Sequence, residues 1–233
     1  MKALYSLAQK IAGFDFFCWL AMQQAYGATE IVFDARRPTE YKWPMATVLR
    51  RFESILWPGP ALAGLPCSIG TEGEQLAPYH QADLVRLCRA GMAVHRLKSV
   101  LPPGTERYTV TLRRTERAAA RNSNEADWRA FASEIGARLI PDYDDEPIHL
   151  HERMALYAGA EMNFFVTNGP CILCLLSDYP AMVFDMQKSP LTKLGVPFGE
   201  PYPFALPQHQ MIYEPDELPV IRRHFYRWLE ART

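Results

Sequence analysis

The sequence predicts an α/β fold in which parallel sheets are flanked by helices. Strand-like and helix-like segments alternate along the chain, an order that is typical of parallel strands joined by crossover helices. The segments NFFV (163–166) and AMVF (181–184) are continuous apolar strands, as expected in a sheet that is covered on both faces. The chain has 233 residues, of which 48% are hydrophobic, so it can bury a large core. We therefore expect a Rossmann-like architecture.

The first part of the chain predicts two strands and three helices. The strands are residues 3–8 and 29–34, and the helices are residues 14–27, 45–57 and 81–97. Gly27 ends the first helix, and Pro44 and the Pro58-Gly59 pair bound the second. Residues 58–80 are expected to form a loop.

The second part predicts a larger sheet, with five strands and four helices. The strands are residues 108–112, 137–141, 162–167, 181–184 and 210–214, and the helices are residues 125–136, 150–160, 169–178 and 216–230. Asn124 is expected to cap the helix at 125–136, and Gly136 is expected to end it.

A linker-type segment separates the two parts. Residues 99–107 contain Pro102, Pro103 and Gly104, which break regular structure. We therefore expect an N-terminal α/β domain over residues 1–104 and a C-terminal Rossmann-like domain over residues 105–233. With only two clear strands, the first domain is the reduced one.

Composition excludes some partners and indicates a compartment. The formal charge of −1 gives no global attraction to nucleic acid, so none is expected as a partner, and any anion site must be local. Five cysteines are an odd number and suit a reducing compartment. Lys10 and Asp15 interrupt the apolar N-terminal stretch, which argues against a signal peptide. We expect a cytoplasmic protein.

Three arginines surround one strand-to-helix junction. Arg113 and Arg114 follow the strand at 108–112, and Arg121 precedes the next helix. In parallel sheets, ligands bind beyond the carboxyl ends of the strands, where arginines can clamp phosphate groups. The alternative is that Arg113 and Arg114 form surface ion pairs with Glu116 or with the acidic segment 142–146.

A polar turn follows a second strand of the same sheet. Asn168, Gly169 and Pro170 lie between the strand at 162–167 and an apolar helix. Backbone N–H groups at such a helix start attract phosphate, and proline suits the first helical turn. These residues are therefore expected to share a phosphate site with the arginines.

Residues 108–185 resemble the nucleotide-sugar-binding half of GT-B glycosyltransferases. TLRRTER (111–117) is similar to the His-x-Arg-Arg-x-Asp stretch of α-1,6-fucosyltransferases. Thr111 stands in place of the histidine, and Glu116 stands in place of the aspartate. The resemblance implies that Arg113 contacts the donor diphosphate. Residues 155–184 resemble the part of heptosyltransferases and fucosyltransferases whose small-residue turn cradles donor phosphate.

A second likeness concerns the N-terminus and a candidate base. Heptosyltransferases carry a Gly-Asp pair at the start of the first helix, where the aspartate is the proposed base. Gly13 and Asp15 resemble that pair, with one residue inserted between them. The likeness implies that Asp15 accepts the proton of the acceptor. The alternative is that Asp15 only caps its helix.

Three other features have mainly structural interpretations. Cys171 and Cys174 form a C-x-x-C within an apolar run and are expected to be buried core residues. Asp142-x-Asp144 and the pair His149 and His151 could hold a metal, but turn formation and helix-face geometry argue against it. The basic helix at 216–230 packs an apolar stripe on the core or contacts a membrane surface.

The resemblance implies a metal-independent glycosyltransferase, as in polysaccharide biosynthesis, that uses no cofactor beyond its nucleoside-diphosphate-sugar donor. The acceptor would be a glycan or a small molecule with a hydroxyl group. Two alternatives stay open: a non-catalytic binding or regulatory protein of the same fold, and a nucleotide-sugar hydrolase or epimerase.

Overall fold

The computed structural model describes residues 1–9, 13–36, 45–76, 80–115, 119–141, 148–186 and 194–232. The strands in these ranges are β1 (Lys2–Ser6), β2 (Glu30–Asp34), β3 (Cys67–Ile69), β4 (Tyr108–Thr111), β5 (Arg138–Ile140), β6 (Met162–Val166), β7 (Ala181–Phe184) and β8 (His209–Met211). The α-helices are α1 (Asp15–Ala25), α2 (Met45–Arg51), α3 (Gln81–Arg89), α4 (Glu125–Ile135), α5 (Leu150–Gly159), α6 (Cys171–Leu175) and α7 (Leu218–Glu230).

The strands form two parallel sheets. The first has the order β1-β2-β3, and the second has the order β5-β4-β6-β7-β8. Every paired strand in both sheets is parallel to its neighbour. The predicted fold class, a Rossmann-like α/β architecture with parallel sheets flanked by helices, is therefore confirmed.

The second sheet is covered on both faces because its side chains alternate between two apolar environments. Val110, Phe164 and Phe184 face a cluster that contains Trp128 of α4 and Phe225 of α7. The opposite face contributes to a larger core with aliphatic and aromatic side chains of α5 and α6. This layering explains why β6 and β7 are buried over their whole length.

The larger core extends across both predicted domains. It joins Tyr5 of β1 and Trp19 of α1 to Tyr157 of α5 and Leu173 of α6. The segment before the linker also bridges the two parts, since the Leu97 amide donates to the Leu176 carbonyl at 2.8 Å. The division into residues 1–104 and 105–233 stays a prediction.

Several predicted boundaries in the first part were wrong. Residues 58–80 contain β3, whose three residues are specified by parallel pairing with β2 rather than by a local pattern. The helix predicted at 81–97 ends at Arg89, because Gly91 adopts a left-handed φ of 95°. The helix predicted at 45–57 continues after α2 as a π-helical turn over Phe52–Leu56.

The second part follows the prediction more closely, with shorter elements. The helix predicted at 169–178 contains only the five residues of α6 as regular α-helix. The strand predicted at 210–214 is β8, which begins at His209 and ends at Met211. Gly136 ends α4 with a left-handed φ of 66°, as predicted.

One buried carboxylate connects the starts of α4 and α7. Asp216 is 3% exposed and precedes α7. Its Oδ2 accepts hydrogen bonds from the Asn124 amide at 2.7 Å and from Trp128 Nε1 at 2.9 Å. Asn124 is the N-cap residue of α4, as predicted, although its own side chain makes no capping bond. The hydrogen-bond acceptor for the amide at the start of α4 is therefore supplied by a residue 92 positions away in the sequence.

We expect Asp216→Ala to lower the free energy of unfolding by about 2–4 kcal/mol, because the buried Trp128 indole and the partly buried Asn124 amide lose a charged acceptor. Urea denaturation monitored by tryptophan fluorescence measures this loss. Glu217→Ala is the matched control, since Glu217 is exposed and its side chain caps no helix. Equal stabilities of the two variants would contradict the bridging role of Asp216.

The C-terminal helix α7 packs as an amphipathic core helix. Val220, Ile221 and Phe225 are buried, and the Arg222 and Arg223 side chains pair with Glu134 and Glu214. Acidic partners thus compensate part of its basic face. In the ranges that the structure describes, no helix combines the length and the apolar character needed to cross a membrane.

Candidate functional site

The carboxyl ends of both sheets border one cavity of about 610 Å³. Residues from both parts of the chain line it: Asp15, His80, Gln81, Ala82, Arg113, Arg121, Thr167, Asn168, Gly169, Cys171, Ile172, Leu175, Leu194 and Tyr202. Ligands of open parallel sheets bind at this edge. The cavity therefore brings together five of the seven residues that the sequence predicts for the site.

The first sheet contributes through the starts of two helices. In a parallel sheet, each crossover helix begins at the carboxyl edge, so α1 after β1 and α3 after β3 both start at the cavity. Asp15 is the first residue of α1, and His80 is the N-cap residue of α3. The topology thus places a carboxylate and an imidazole on one wall.

Asp15 is not the cap of its helix. The N-cap position is Phe14, and no side chain forms a capping hydrogen bond there. Asp15 is exposed and lines the cavity, and nothing in the described part of the chain donates a hydrogen bond to its carboxylate. Its negative charge still suits the helix dipole. The capping interpretation is therefore wrong, and the carboxylate is available to a ligand.

Side chains of the RNSN segment (121–124) hold Arg113 in place. The Arg113 amide donates to Ser123 Oγ at 2.8 Å, and the Ser123 amide donates to the Arg113 carbonyl at 3.0 Å. Asn122 exchanges two hydrogen bonds with the backbone of Thr115, at 3.0 and 3.1 Å. These bonds fold the segment back on the end of β4. This brings the Arg113 and Arg121 side chains to the same cavity.

Arg121 connects this segment to the neighbouring strand. Its Nη2 donates to the Thr167 carbonyl at 3.1 Å, at the end of β6. Its Nε is buried and has no hydrogen-bond partner among the described residues. An unsatisfied buried donor at a cavity wall is typical of a place that a ligand completes. The guanidinium is thus positioned and retains donor capacity.

The turn after β6 uses most of its backbone donors internally. The Cys171 amide donates to Asn168 Oδ1 at 3.0 Å, and the Ile172 and Leu173 amides donate to the Gly169 and Pro170 carbonyls. The amides at the start of α6 are therefore already paired. Asn168 Nδ2 is a buried donor with no partner in the described part of the chain, so this side chain is the better candidate for contact with an anion.

Gly169 is needed because the two parts of the chain touch at this turn. A Cβ on Gly169 would lie 2.8 Å from Cδ2 of Phe14, which directly precedes Asp15. Such a distance forces a displacement of the ring or of the turn. The absence of a side chain at residue 169 thus sets the distance between the start of α1, with Asp15, and the turn that contains Asn168.

We expect Gly169→Ala to lower stability by about 1–3 kcal/mol through this overpacking and to lower turnover, because the start of α1 must move. Thermal melts and a donor-turnover assay measure the two effects. Gly13→Ala is the matched control in the facing loop, where no described heavy atom lies within 4 Å of the added Cβ. A Gly169→Ala variant with unchanged turnover would show that this spacing does not matter.

Two predicted site residues lie outside the cavity lining. Arg114 is exposed and does not line the cavity. Pro170 is buried and begins the turn of α6. The predicted ion pairs with Glu116 and with residues 142–146 lie outside the described residues.

Asp34, at the carboxyl end of β2, is a second carboxylate of the first sheet, but it is poorly suited to accept a proton. Hydrogen bonds from the Arg36 guanidinium, at 2.8 Å to each carboxylate oxygen, lower the pKa of Asp34 to about 2. A carboxylate with so low a pKa is a weak general base. Asp144 and Asp145 lie outside the described residues and stay untested as bases.

The C-x-x-C residues are structural, as predicted. Cys171 is 6% exposed and Cys174 is fully buried. Burial raises the pKa of Cys171 to about 11 and raises that of Cys174, so neither thiol is a reactive thiolate. All five cysteines are free.

No group of three His, Cys, Asp or Glu side chains within the described ranges is placed to hold a metal ion. His151 Nε2 lies 2.9 Å from the Pro58 carbonyl, and the His149 ring accepts the His151 amide, so both rings have structural contacts. Asp142 and Asp144 are outside the described residues, and their metal site stays untested.

Sequence reasoning missed several lining residues of the cavity. His80 directly precedes the predicted helix that Gln81 begins, and Leu194 and Tyr202 belong to a connection without a helix or strand pattern. The signal for His80 was its position directly before the predicted helix at 81–97. Once β3 is recognised, that helix start falls at a carboxyl edge.

The fold and the cavity define an α/β protein of Rossmann-like architecture in which two parallel sheets open on one shared cavity. No family model matches the sequence, and no curated protein matches it. Among solved structures, the chain is similar to E. coli heptosyltransferase WaaC with ADP, at 13% sequence identity and a TM-score of 0.47, over 100% of both chains. Similarity at this level does not assign an activity.

Proposed function

We propose that this protein is a glycosyltransferase that moves a sugar from a nucleoside-diphosphate donor to a hydroxyl group of a glycan or small-molecule acceptor. One observation supports it above all. A single cavity joins the carboxylate of Asp15, from the first sheet, to the guanidinium groups of Arg113 and Arg121, from the second. Transfer of this kind needs a base for the acceptor and cations for the leaving group.

The second part of the chain would bind the donor. As the bond between the anomeric carbon and the diphosphate breaks, its electron pair leaves with the diphosphate, which gains negative charge. Arg113 and Arg121 provide fixed positive charge for that group, and Asn168 Nδ2 provides a further donor. Because these side chains can stabilise the leaving group, we propose that no metal or other cofactor is required.

The first part of the chain would bind the acceptor. The acceptor oxygen attacks the anomeric carbon, and its proton passes to the Asp15 carboxylate. The exposed position of Asp15 and its lack of a hydrogen-bond donor in the described structure support this role. The domain over residues 1–104 is then the acceptor side, and the domain over 105–233 is the donor side. Five free cysteines support a cytoplasmic setting.

A thermal-shift panel of GDP, ADP, UDP, CDP and their sugars tests donor binding. A donor present at 100 times its dissociation constant should add about 2.7 kcal/mol of stability. Incubation with the best sugar and a mixture of glycan acceptors, followed by product analysis, then separates the activities. Glycoside plus nucleoside diphosphate supports transfer, free sugar indicates a hydrolase, and binding without turnover indicates a regulatory protein. No shift with any nucleotide would refute the proposal.

A further inference from the structure

We propose that His80 completes the diphosphate site from the side of the first sheet, and that it binds the diphosphate in its protonated form. The inference rests on the proposed function, because it assigns a third cationic group to the same site. A histidine at this site makes binding of the donor depend on pH. Arg113 and Arg121 cannot provide this dependence, because arginine stays charged.

The imidazole of His80 forms no hydrogen bond that would stabilise the fold within the described residues. It is exposed, it lines the cavity, and it makes no hydrogen bond to a described residue. His80 occupies the N-cap position of α3, yet its side chain forms no capping bond to that helix. Both ring nitrogens are therefore able to contact a ligand in the cavity.

The charges around His80 favour an anion as its partner. Among the described residues, the charged groups that line the cavity are Asp15 on α1, Arg113 after β4, and Arg121 before α4. Two of these are positive and one is negative, so a bound diphosphate donor, with about two negative charges, leaves this described set with an excess of about one negative charge. Protonation of His80 offsets this excess.

Other titratable groups near His80 do not compete for this role. Cys171 stays a neutral thiol, since burial raises its pKa to about 11. Tyr202 is buried, with its ring stacked on Phe204 at 5.0 Å between centroids. On α3 itself, Asp83 pairs with Arg86 at 3.4 Å. Histidine is also the side chain whose charge changes between pH 5 and 8, where such a contact would be regulated.

Isothermal titration calorimetry of the full chain tests the proposal, with inorganic pyrophosphate and the best nucleoside diphosphate as probes. Affinity is measured from pH 5.5 to 8.5 for the unmodified protein and for His80→Gln, so that titration of the ligand itself cancels. We expect the His80→Gln variant to lose about tenfold in affinity at pH 5.5 and to match the unmodified protein at pH 8.5.

Two further variants sharpen the test. His80→Arg should bind tightly at both ends of the range, because its charge is permanent. His95→Gln is the matched control, since His95 is exposed and lies outside the cavity lining, and it should behave as the unmodified protein does. If His80→Gln keeps the pH dependence of the unmodified protein, the assignment of His80 is wrong while the glycosyltransferase proposal stands. If no diphosphate binds at any pH, both fail.

Discussion

Replacing Asp15 with asparagine should lower turnover by roughly 10²- to 10⁴-fold, because the amide cannot accept the proton of the acceptor hydroxyl. The melting temperature should barely change. Asp15 caps no helix and accepts no hydrogen bond from the described residues, so only its weak interaction with the helix dipole is lost. Nucleotide affinity should be retained, since Arg113 and Arg121, the arginines expected to bind the diphosphate, come from the second sheet, whereas Asp15 comes from the first.

The three measurements on Asp15→Asn are melting temperature, nucleotide affinity and turnover. Asp34→Asn is a useful comparison, because we expect it to reduce mainly stability, whereas Asp15→Asn should reduce mainly turnover. Asp34 is 3% exposed and holds Arg36 and Ser6, so its loss should reduce stability more than turnover. Full turnover in Asp15→Asn would remove Asp15 from the site and direct attention to Asp144 and Asp145.

Arg113→Ala should weaken binding of nucleoside diphosphates by about 1.5–3 kcal/mol, or roughly 10- to 150-fold, through the loss of charge-assisted hydrogen bonds. The residue lines the cavity, and its backbone is held by Ser123 whatever the side chain, so the site around it should persist. Calorimetric titration with the best nucleotide of the panel measures the loss.

Arg114→Ala is the matched control for this variant. It removes the same charge from the next position of the chain, but that side chain is exposed and lies outside the cavity lining. A general electrostatic effect would weaken both variants alike, whereas a direct contact weakens only Arg113→Ala. Unaltered nucleotide binding by Arg113→Ala would show that the diphosphate is held elsewhere.

The amino-acid sequence alone determined the order of the elements and the class of the fold. Strong local signals did this: apolar strands such as β6, the stripe of α4, and glycines such as Gly136 that end helices. It also located Arg113, Arg121 and Asn168, since residues that follow parallel strands must lie at the carboxyl edge of the sheet. These are properties of short segments, which the neighbouring residues specify.

Only the tertiary structure decided which groups share a cavity. The short strand β3 has no alternating hydrophobic pattern, and its pairing with β2 defines it. Unless β3 is recognised, the start of α3, where His80 lies, cannot be placed at the carboxyl edge of the first sheet. The close approach of Phe14 to Gly169 likewise depends on residues that are distant in the chain. Contacts between distant segments leave no periodic trace in the sequence, because packing specifies them only after both sheets have formed.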